Sequence, residues 1–212
     1  MPANVSLTSR QLAIGPIAVA TAAGDIPRLG PALERGLEAG LTINDVREVL
    51  VQLYAYAGFP RSLNALGEFM KVLESRRARG VSDAEGREPG PLPSASQMLD
   101  AGTANQTKLS GVPVRGALFE FAPAIDQFLK SHLFGDIFAR DNVDWPSREL
   151  ATVAALAAMD GVEPQLLAHI RISMNVGLTA EQLKTFGTEL AARVDAQAGQ
   201  RVLAAIEKHS KP

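Results

Sequence analysis

The stretch that decides the fold runs Gly40-Leu-Thr-Ile-Asn-Asp-Val-Arg-Glu-Val-Leu-Val-Gln-Leu-Tyr54. Gly40 suits the left-handed position that ends a helix, and Thr42 can cap the helix that follows. Asp45 comes three residues after Thr42, the spacing at which a side chain reaches back to the N–H of the capping residue. Apolar side chains then recur at helical spacing, at Val46, Val49, Leu50, Leu53, Tyr54 and Ala57. This pattern predicts an amphipathic helix with one buried face.

The same pattern returns in the second half of the chain, where Gly177-Leu-Thr179 repeats Gly40-Leu-Thr42. Gln182 takes the place of Asp45, and a second apolar stripe follows at Leu183, Phe186, Leu190, Ala191 and Val194. An earlier block, Ser9-Arg-Gln-Leu-Ala13, matches Ser147-Arg-Glu-Leu-Ala151. The separation between these two blocks is one residue longer than the separation between Gly40 and Gly177. Both pairs of matching blocks occur in the same order and at nearly the same separation, which predicts a duplicated helical unit. No stretch alternates as a strand would, so we predict an all-α fold.

The length of 212 residues permits one large domain or two compact halves. The duplication favours two, with a first repeat at residues 1–80, a linker at 81–98 and a second repeat at 99–212. The linker is indicated by glycines and prolines among charges over residues 80–96. Pro60 is expected to open a helix that carries Leu63, Leu66, Met70 and Leu73 on one side. Pro16 is expected to kink or restart the first helix.

Composition excludes several classes of function. Hydrophobic residues make up 46% of the chain, which is enough for a globular core. A net charge of −2 gives no positive field for nucleic acid or anionic membranes, so small molecules or protein partners are expected. The absence of cysteine excludes disulfides, thiolate nucleophiles and cysteine-bound zinc. With only three histidines, we expect no histidine metal site.

The N-terminal segment and the apolar runs bear on localisation. The first ten residues lack the basic region and apolar run of a secretory signal. The longest apolar runs, around residues 14–23 and 150–159, are too short to span a bilayer. We therefore expect a soluble, cytoplasmic protein that does not bind membranes.

Several segments of the chain form a recognisable set of motifs. They are Ile125-Asp-Gln-Phe-Leu129, Phe134-Gly-Asp-Ile-Phe-Ala-Arg140, the helix Ser147-Arg-Glu-Leu-Ala-Thr-Val-Ala-Ala-Leu-Ala157, His169, Asn175-Val-Gly-Leu-Thr179, Glu48-Val-Leu-Val-Gln52, Tyr56-Ala-Gly-Phe-Pro60 and Asn64-Ala65. Together these segments resemble the carboxymuconolactone decarboxylase family in its tandem-repeat form. The resemblance implies two tandem helical repeats similar to alkyl hydroperoxidase D.

The family has two chemical branches. One reduces peroxides with a Cys-x-x-Cys-x-x-x-His segment and an upstream glutamate. Here Val162 and Gln165 stand at the two thiol positions, while His169 and Glu149 remain. Thiol-dependent peroxidase activity is therefore excluded. The other branch resembles a decarboxylase that needs neither cofactor nor metal, which implies a carboxy-lyase acting on a small carboxylated lactone or a related intermediate of aromatic catabolism.

The resemblance also implies a set of site residues. His169 and Glu149 are the predicted catalytic pair, because histidine suits proton delivery near neutral pH and a carboxylate can orient it. Residues predicted to contact a small carboxylate substrate are His132, Arg140, Arg148, Tyr56 and Glu48. The first repeat has Ala32 and Gln11 at the positions of His169 and Glu149, so chemistry is expected in the second repeat.

Other interpretations of these residues stay open at the level of sequence. His169 can be a core histidine bonded to a backbone carbonyl, and Glu149 can complement a helix dipole in a first turn. His132 can be a surface residue, and Tyr54 belongs to a buried stripe. The chain as a whole can be a non-catalytic or ligand-binding oligomer. Because single-repeat members form hexameric rings, the resemblance implies a homotrimer, with the large apolar residues at 118–121 and 134–138 contributing to an interface.

Overall fold

The computed structural model describes residues 6–210, which contain helices and no strand. They form two compact units, one built from residues 6–86 and 146–210 and the other from residues 87–145. The helices of unit 1 are α1 Ser9–Ala23, α2 Ile26–Glu38, α3 Ile43–Ala57, α4 Phe59–Ala78, α8 Trp145–Ala157, α9 Glu163–Asn175, α10 Ala180–Arg193 and α11 Ala196–Ser210. Those of unit 2 are α5 Met98–Ser110, α6 Ala117–Phe121, α7 Pro123–Phe128 and a π-helix at Leu129–Ile137. The prediction of an all-α fold is confirmed.

Both predicted capping boxes are present. The Thr42 N–H donates to the Asp45 carboxylate at 2.8 Å, and the Thr42 hydroxyl accepts from the Asp45 N–H at 3.1 Å. Thr179 and Gln182 make the same reciprocal pair at the start of α10. The preceding glycines have φ angles of +94° and +108°, where a side chain would be strained. Local chemistry therefore defines where α3 and α10 begin.

The helices of unit 1 follow one another at a constant spacing. Helices α2, α3 and α4 begin at Ile26, Ile43 and Phe59, and α9, α10 and α11 begin at Glu163, Ala180 and Ala196, so the three pairs of starting points are separated by the same interval. In each group a capping box also precedes the second helix. Equal spacing of this kind is expected of a duplicated helical unit.

Helix α8 lies in the interior of unit 1, with every residue from Ser147 to Ala157 buried. Its polar side chains therefore need partners inside the protein. Helix α1 is also largely buried, and it runs unbroken through Pro16. The predicted restart of the helix at Pro16 is wrong, because a helix held by packing on its neighbours can tolerate the loss of one hydrogen bond.

Helix α4 buries only part of the predicted face, since Leu66 and Leu73 are half-buried against the core and the other two residues are not. Leu63 and Met70 are 61% and 71% exposed. The side chains that pack inward are Ser62, Ala65, Phe69, Val72 and Arg76. Both sets follow helical spacing, and contacts with α2 and α3 select the one that carries Phe69.

The first part of the predicted linker is tied to unit 1. The Ala84 and Glu85 carbonyls accept from the N–H groups of Ile43 and Asn44, which satisfies donors at the start of α3. Unit 2 begins at residue 87, so the compact units cut across the predicted repeats 1–80 and 99–212. The repeat boundaries stay a prediction, because they concern duplication and not compactness.

In unit 2, α5 packs on the π-helix through glycines. A Cβ atom on Gly102 would lie 1.7 Å from the Lys130 carbonyl oxygen, so only glycine permits this backbone approach. Of the apolar residues predicted at an interface, Phe134, Ile137 and Phe138 are instead buried within this unit. Leu118 and Phe121 remain exposed, Phe121 by 88%. Across the described residues of both units, no helix has the length and apolarity needed to cross a membrane.

Candidate active site

Two predicted catalytic residues meet in the interior of unit 1. The Nδ1 atom of His169, on α9, lies 2.7 Å from Oε2 of Glu149, on α8. Glu149 is fully buried, and the His169 side chain is 10% exposed. A carboxylate only accepts hydrogen bonds, so an ionised Glu149 holds the imidazole with its proton on Nδ1 and its lone pair on Nε2. This arrangement makes Nε2 the ring nitrogen that the contact with Glu149 does not use.

The simpler interpretations of this pair do not hold. Helix α8 begins at Trp145, so Glu149 lies beyond its first turn and does not serve the helix dipole there. The partner of His169 Nδ1 is a carboxylate and not a backbone carbonyl. The His169 carbonyl itself accepts from the Ser173 hydroxyl at 2.7 Å.

Tyr56 closes one side of the imidazole. Its ring meets the His169 ring edge to face, with centroids 5.5 Å apart and an interplanar angle of 81°. Burial raises the pKa of the Tyr56 phenol above its ordinary value, and the Glu149 carboxylate raises this pKa further. Thr152 acts on the Tyr56 hydroxyl in the opposite sense and lowers its pKa, and among the described residues Oε1 of Glu149 has no hydrogen-bond partner. The buried site therefore combines a phenol that keeps its proton with a carboxylate oxygen that can still accept a hydrogen bond.

A second buried ion pair lies close by, between α3 and α8. Arg148 is fully buried, and its Nη2 donates to Glu48 Oε2 at 3.0 Å while Nη1 donates to Gln52 Oε1 at 3.1 Å. The Gln52 amide donates in turn to the Arg148 carbonyl at 2.9 Å and to the Thr152 hydroxyl at 2.8 Å. This network joins α3 to α8 at the level of Glu149. The guanidinium of Arg148 is thus already engaged by protein groups.

The structure brings five of the seven predicted site residues into unit 1, on helices α3, α8 and α9. The other two belong to unit 2. His132 lies on the π-helix, where its Nδ1 is 2.6 Å from Asp136 Oδ2, and both side chains are about half exposed. Arg140 is half-buried in the turn after that helix. Their predicted roles in substrate binding stay predictions.

Sequence reasoning missed Gln52 and Thr152. Both are polar residues inside apolar runs, Gln52 between Val49 and Leu53 and Thr152 between Leu150 and Val153. A polar side chain that interrupts a buried stripe signals an internal partner. Tyr54, predicted in the core, is half-buried and stacks on Phe59 with centroids 4.2 Å apart.

The donor set does not resemble a metal centre. Within residues 6–210, no three imidazole or carboxylate side chains cluster as metal ligands. The paired imidazole and carboxylate are instead suited to acid–base chemistry, because the carboxylate fixes the tautomer and stabilises the imidazolium.

The sequence was compared with models of protein families and with curated proteins. The sequence model of the carboxymuconolactone decarboxylase family matches residues 123–208, which include Glu149 and His169 but amount to less than half of the chain. A search of curated proteins finds no significant match. The family match confirms the resemblance found in the sequence for this part of the chain.

Proposed function

We propose that this protein is a decarboxylase acting on a small carboxylated lactone or a related intermediate of aromatic catabolism. The match of residues 123–208 to the carboxymuconolactone decarboxylase family supports this proposal. The observation that carries the proposal is the buried contact of 2.7 Å between Glu149 and His169. The zero cysteine count excludes the thiol-dependent peroxidase chemistry of the other branch.

The reaction would use His169 as the proton donor. In the substrate, the bond between carbon and the carboxylate breaks, CO2 leaves, and the electron pair moves into the adjacent unsaturated lactone. Nε2 of the His169 imidazolium then delivers a proton to carbon, and solvent restores the imidazolium for the next turnover. Glu149 stabilises the imidazolium and holds its ring, a role for which a fully buried carboxylate at 2.7 Å is suited.

The other residues of unit 1 would take supporting roles. Tyr56 keeps a neutral hydroxyl, since burial raises its pKa, and can donate to the lactone carbonyl oxygen on which negative charge develops. Glu48 and Arg148 neutralise each other at 3.0 Å. In our proposal these two residues therefore position α3 against α8, a role that replaces the direct substrate contact expected from sequence.

The test is turnover of 4-carboxymuconolactone, followed by CO2 release and by loss of lactone absorbance. We expect activity in the wild type and a loss of roughly 10²- to 10⁴-fold in His169→Ala, the range for removal of a general acid. His209→Ala is the matched control, because His209 is an exposed histidine on α11. A wild type no faster than buffer, or a folded His169→Ala variant with full activity, would contradict the proposal.

A second candidate is a ligand-binding protein without catalysis. The observation that favours it is the substitution of Ala32 and Gln11 at the positions that correspond to His169 and Glu149. Such a protein would be stabilised by small carboxylates in a thermal-shift assay and would release no CO2. Turnover that depends on His169 excludes this candidate.

We also propose a homotrimer. Helices α6 and α7 bury none of their residues, and they expose the large side chains Leu118, Phe121, Ile125 and Phe128. Apolar patches of this kind are typical of contacts between proteins. A cyclic trimer would cover them with a second copy of the chain.

A further inference from the structure

A cavity lies in unit 1 and is lined by residues other than Glu149 and His169. It has a volume of about 640 Å³ and is bounded by α1, α2 and α10. Much of its wall is apolar, with contributions from Leu12, Pro16, Val19, Ala32, Phe186 and Leu190. This volume lies within the range of sites that hold small molecules, about 300–1,000 Å³. We refer to this cavity as the α1–α2–α10 groove.

The groove corresponds by position to the candidate active site. When α2 and α9 are aligned from their first residues, Ala32 of α2 matches His169 of α9. The same alignment of α3 with α10 pairs Leu53 and Tyr56 with Leu190 and Arg193. The helices that bound the groove are thus the counterparts of those that carry the active site. At the matching position the groove presents a methyl group in place of the imidazole, so it can bind a ligand but cannot donate a proton in the same way.

The charges on the groove favour a single anionic group. Arg28 contacts Asp25 at 2.6 Å, and Arg193 contacts Glu189 at 3.1 Å, so both of these cations have carboxylate partners. Arg35 also lines the groove and is exposed. Its guanidinium forms no ion pair with a carboxylate in the part of the chain that the structure describes. The groove therefore offers an apolar wall and one cation without a partner carboxylate.

We propose that the α1–α2–α10 groove binds a small apolar monocarboxylate. The carboxylate pairs with Arg35 at the rim, and the apolar body packs against Phe186, Leu190 and Ala32. The groove has no acid–base pair, so it binds this ligand without converting it. This inference depends on the groove alone and holds whether or not Glu149 and His169 catalyse a decarboxylation.

The experiment compares two probes that differ in charge. Equilibrium dialysis or calorimetry measures the affinity of the full chain for 1-naphthoate and for the neutral 1-naphthalenemethanol. We expect Arg35→Ala to weaken 1-naphthoate roughly 10- to 100-fold, the range for a lost charged hydrogen bond, and to leave the alcohol unchanged. Ala13→Phe, which fills the groove from α1, should abolish binding of both probes.

Two controls separate the groove from other sites. Lys184→Ala removes an exposed cation of α10 that does not line the groove, and it should change neither affinity. His169→Ala should leave 1-naphthoate binding at the groove intact, whereas Arg35→Ala should leave turnover intact. A failure of the decarboxylase proposal and a failure of the groove proposal are thereby distinguishable. Circular dichroism of each variant confirms that it remains folded.

Three results would overturn the inference. The first is a wild type that does not bind 1-naphthoate at millimolar concentration. The second is an Arg35→Ala variant that binds 1-naphthoate as the wild type does, or that loses the alcohol equally. The third is a variant, Arg35→Ala or Ala13→Phe, whose particle mass by light scattering changes while its affinity for 1-naphthoate does not. That result would show that the groove is a contact between copies of the chain.

Discussion

The buried pair of Glu48 and Arg148 allows a quantitative prediction about stability. Glu48→Leu removes the carboxylate that lies 3.0 Å from Arg148 Nη2 and takes its negative charge away from the fully buried guanidinium. Removing one member of a buried pair costs about 3–5 kcal/mol, because the remaining charge is desolvated and uncompensated. Arg148→Met should cost a similar amount through the unpaired carboxylate.

The double variant Glu48→Leu with Arg148→Met should be more stable than either single variant. Both charges are then gone, and apolar side chains of similar length fill their space. The double variant still loses some stability, because Gln52 Oε1 no longer accepts the hydrogen bond from Arg148 Nη1 at 3.1 Å. A buried acceptor without a partner lowers the free energy of unfolding by about 1–3 kcal/mol.

Urea unfolding followed by circular dichroism measures the free energy of unfolding of the four proteins. The exposed pair Glu181 and Lys184, 2.9 Å apart on α10, is the matched control, and its variants should change stability by less than about 1 kcal/mol. The reasoning is refuted if the double variant loses as much as the two single variants combined. It is equally refuted if either single variant loses less than about 1 kcal/mol.

Three further predictions follow from packing, burial and exposure. Gly102→Ala should destabilise unit 2 by about 3 kcal/mol or more in chemical unfolding, since its Cβ would overlap the Lys130 carbonyl, whereas Gly67→Ala, with open space around it, should be neutral or stabilising. Tyr56→Phe should reduce the loss of stability above about pH 10. Burial raises the pKa of Tyr56 in the folded state, so the unfolded chain releases the phenol proton at lower pH and becomes favoured as the pH rises. Parallel curves of unfolding free energy against pH for the wild type and the variant would contradict this assignment. Light scattering should give about three times the mass of the 22.5 kDa chain at micromolar concentration, and a stable monomer would exclude the trimer.

The sequence predicts which residues form the candidate site, but it does not predict which of them contact one another. The family's pattern identifies His169 and Glu149, which lie 20 residues apart on the consecutive helices α8 and α9. Their contact at 2.7 Å exists because α9 packs beside the buried α8. Arg148 was expected to bind a substrate carboxylate, and its engagement with Glu48 depends on α3, which lies far earlier in the chain.

The sequence by itself determined the all-α class, the capping boxes at Thr42 and Thr179, and the amphipathic helices α3 and α10 that follow them. These features arise from hydrogen bonds and periodicity within a few residues, so local sequence carries them in full. Only the tertiary structure decided which of two apolar stripes of α4 is buried, which carboxylate Arg148 contacts, and where the α1–α2–α10 groove lies. Those outcomes depend on which neighbours cover each helix face, and helical periodicity alone does not distinguish one apolar face from another.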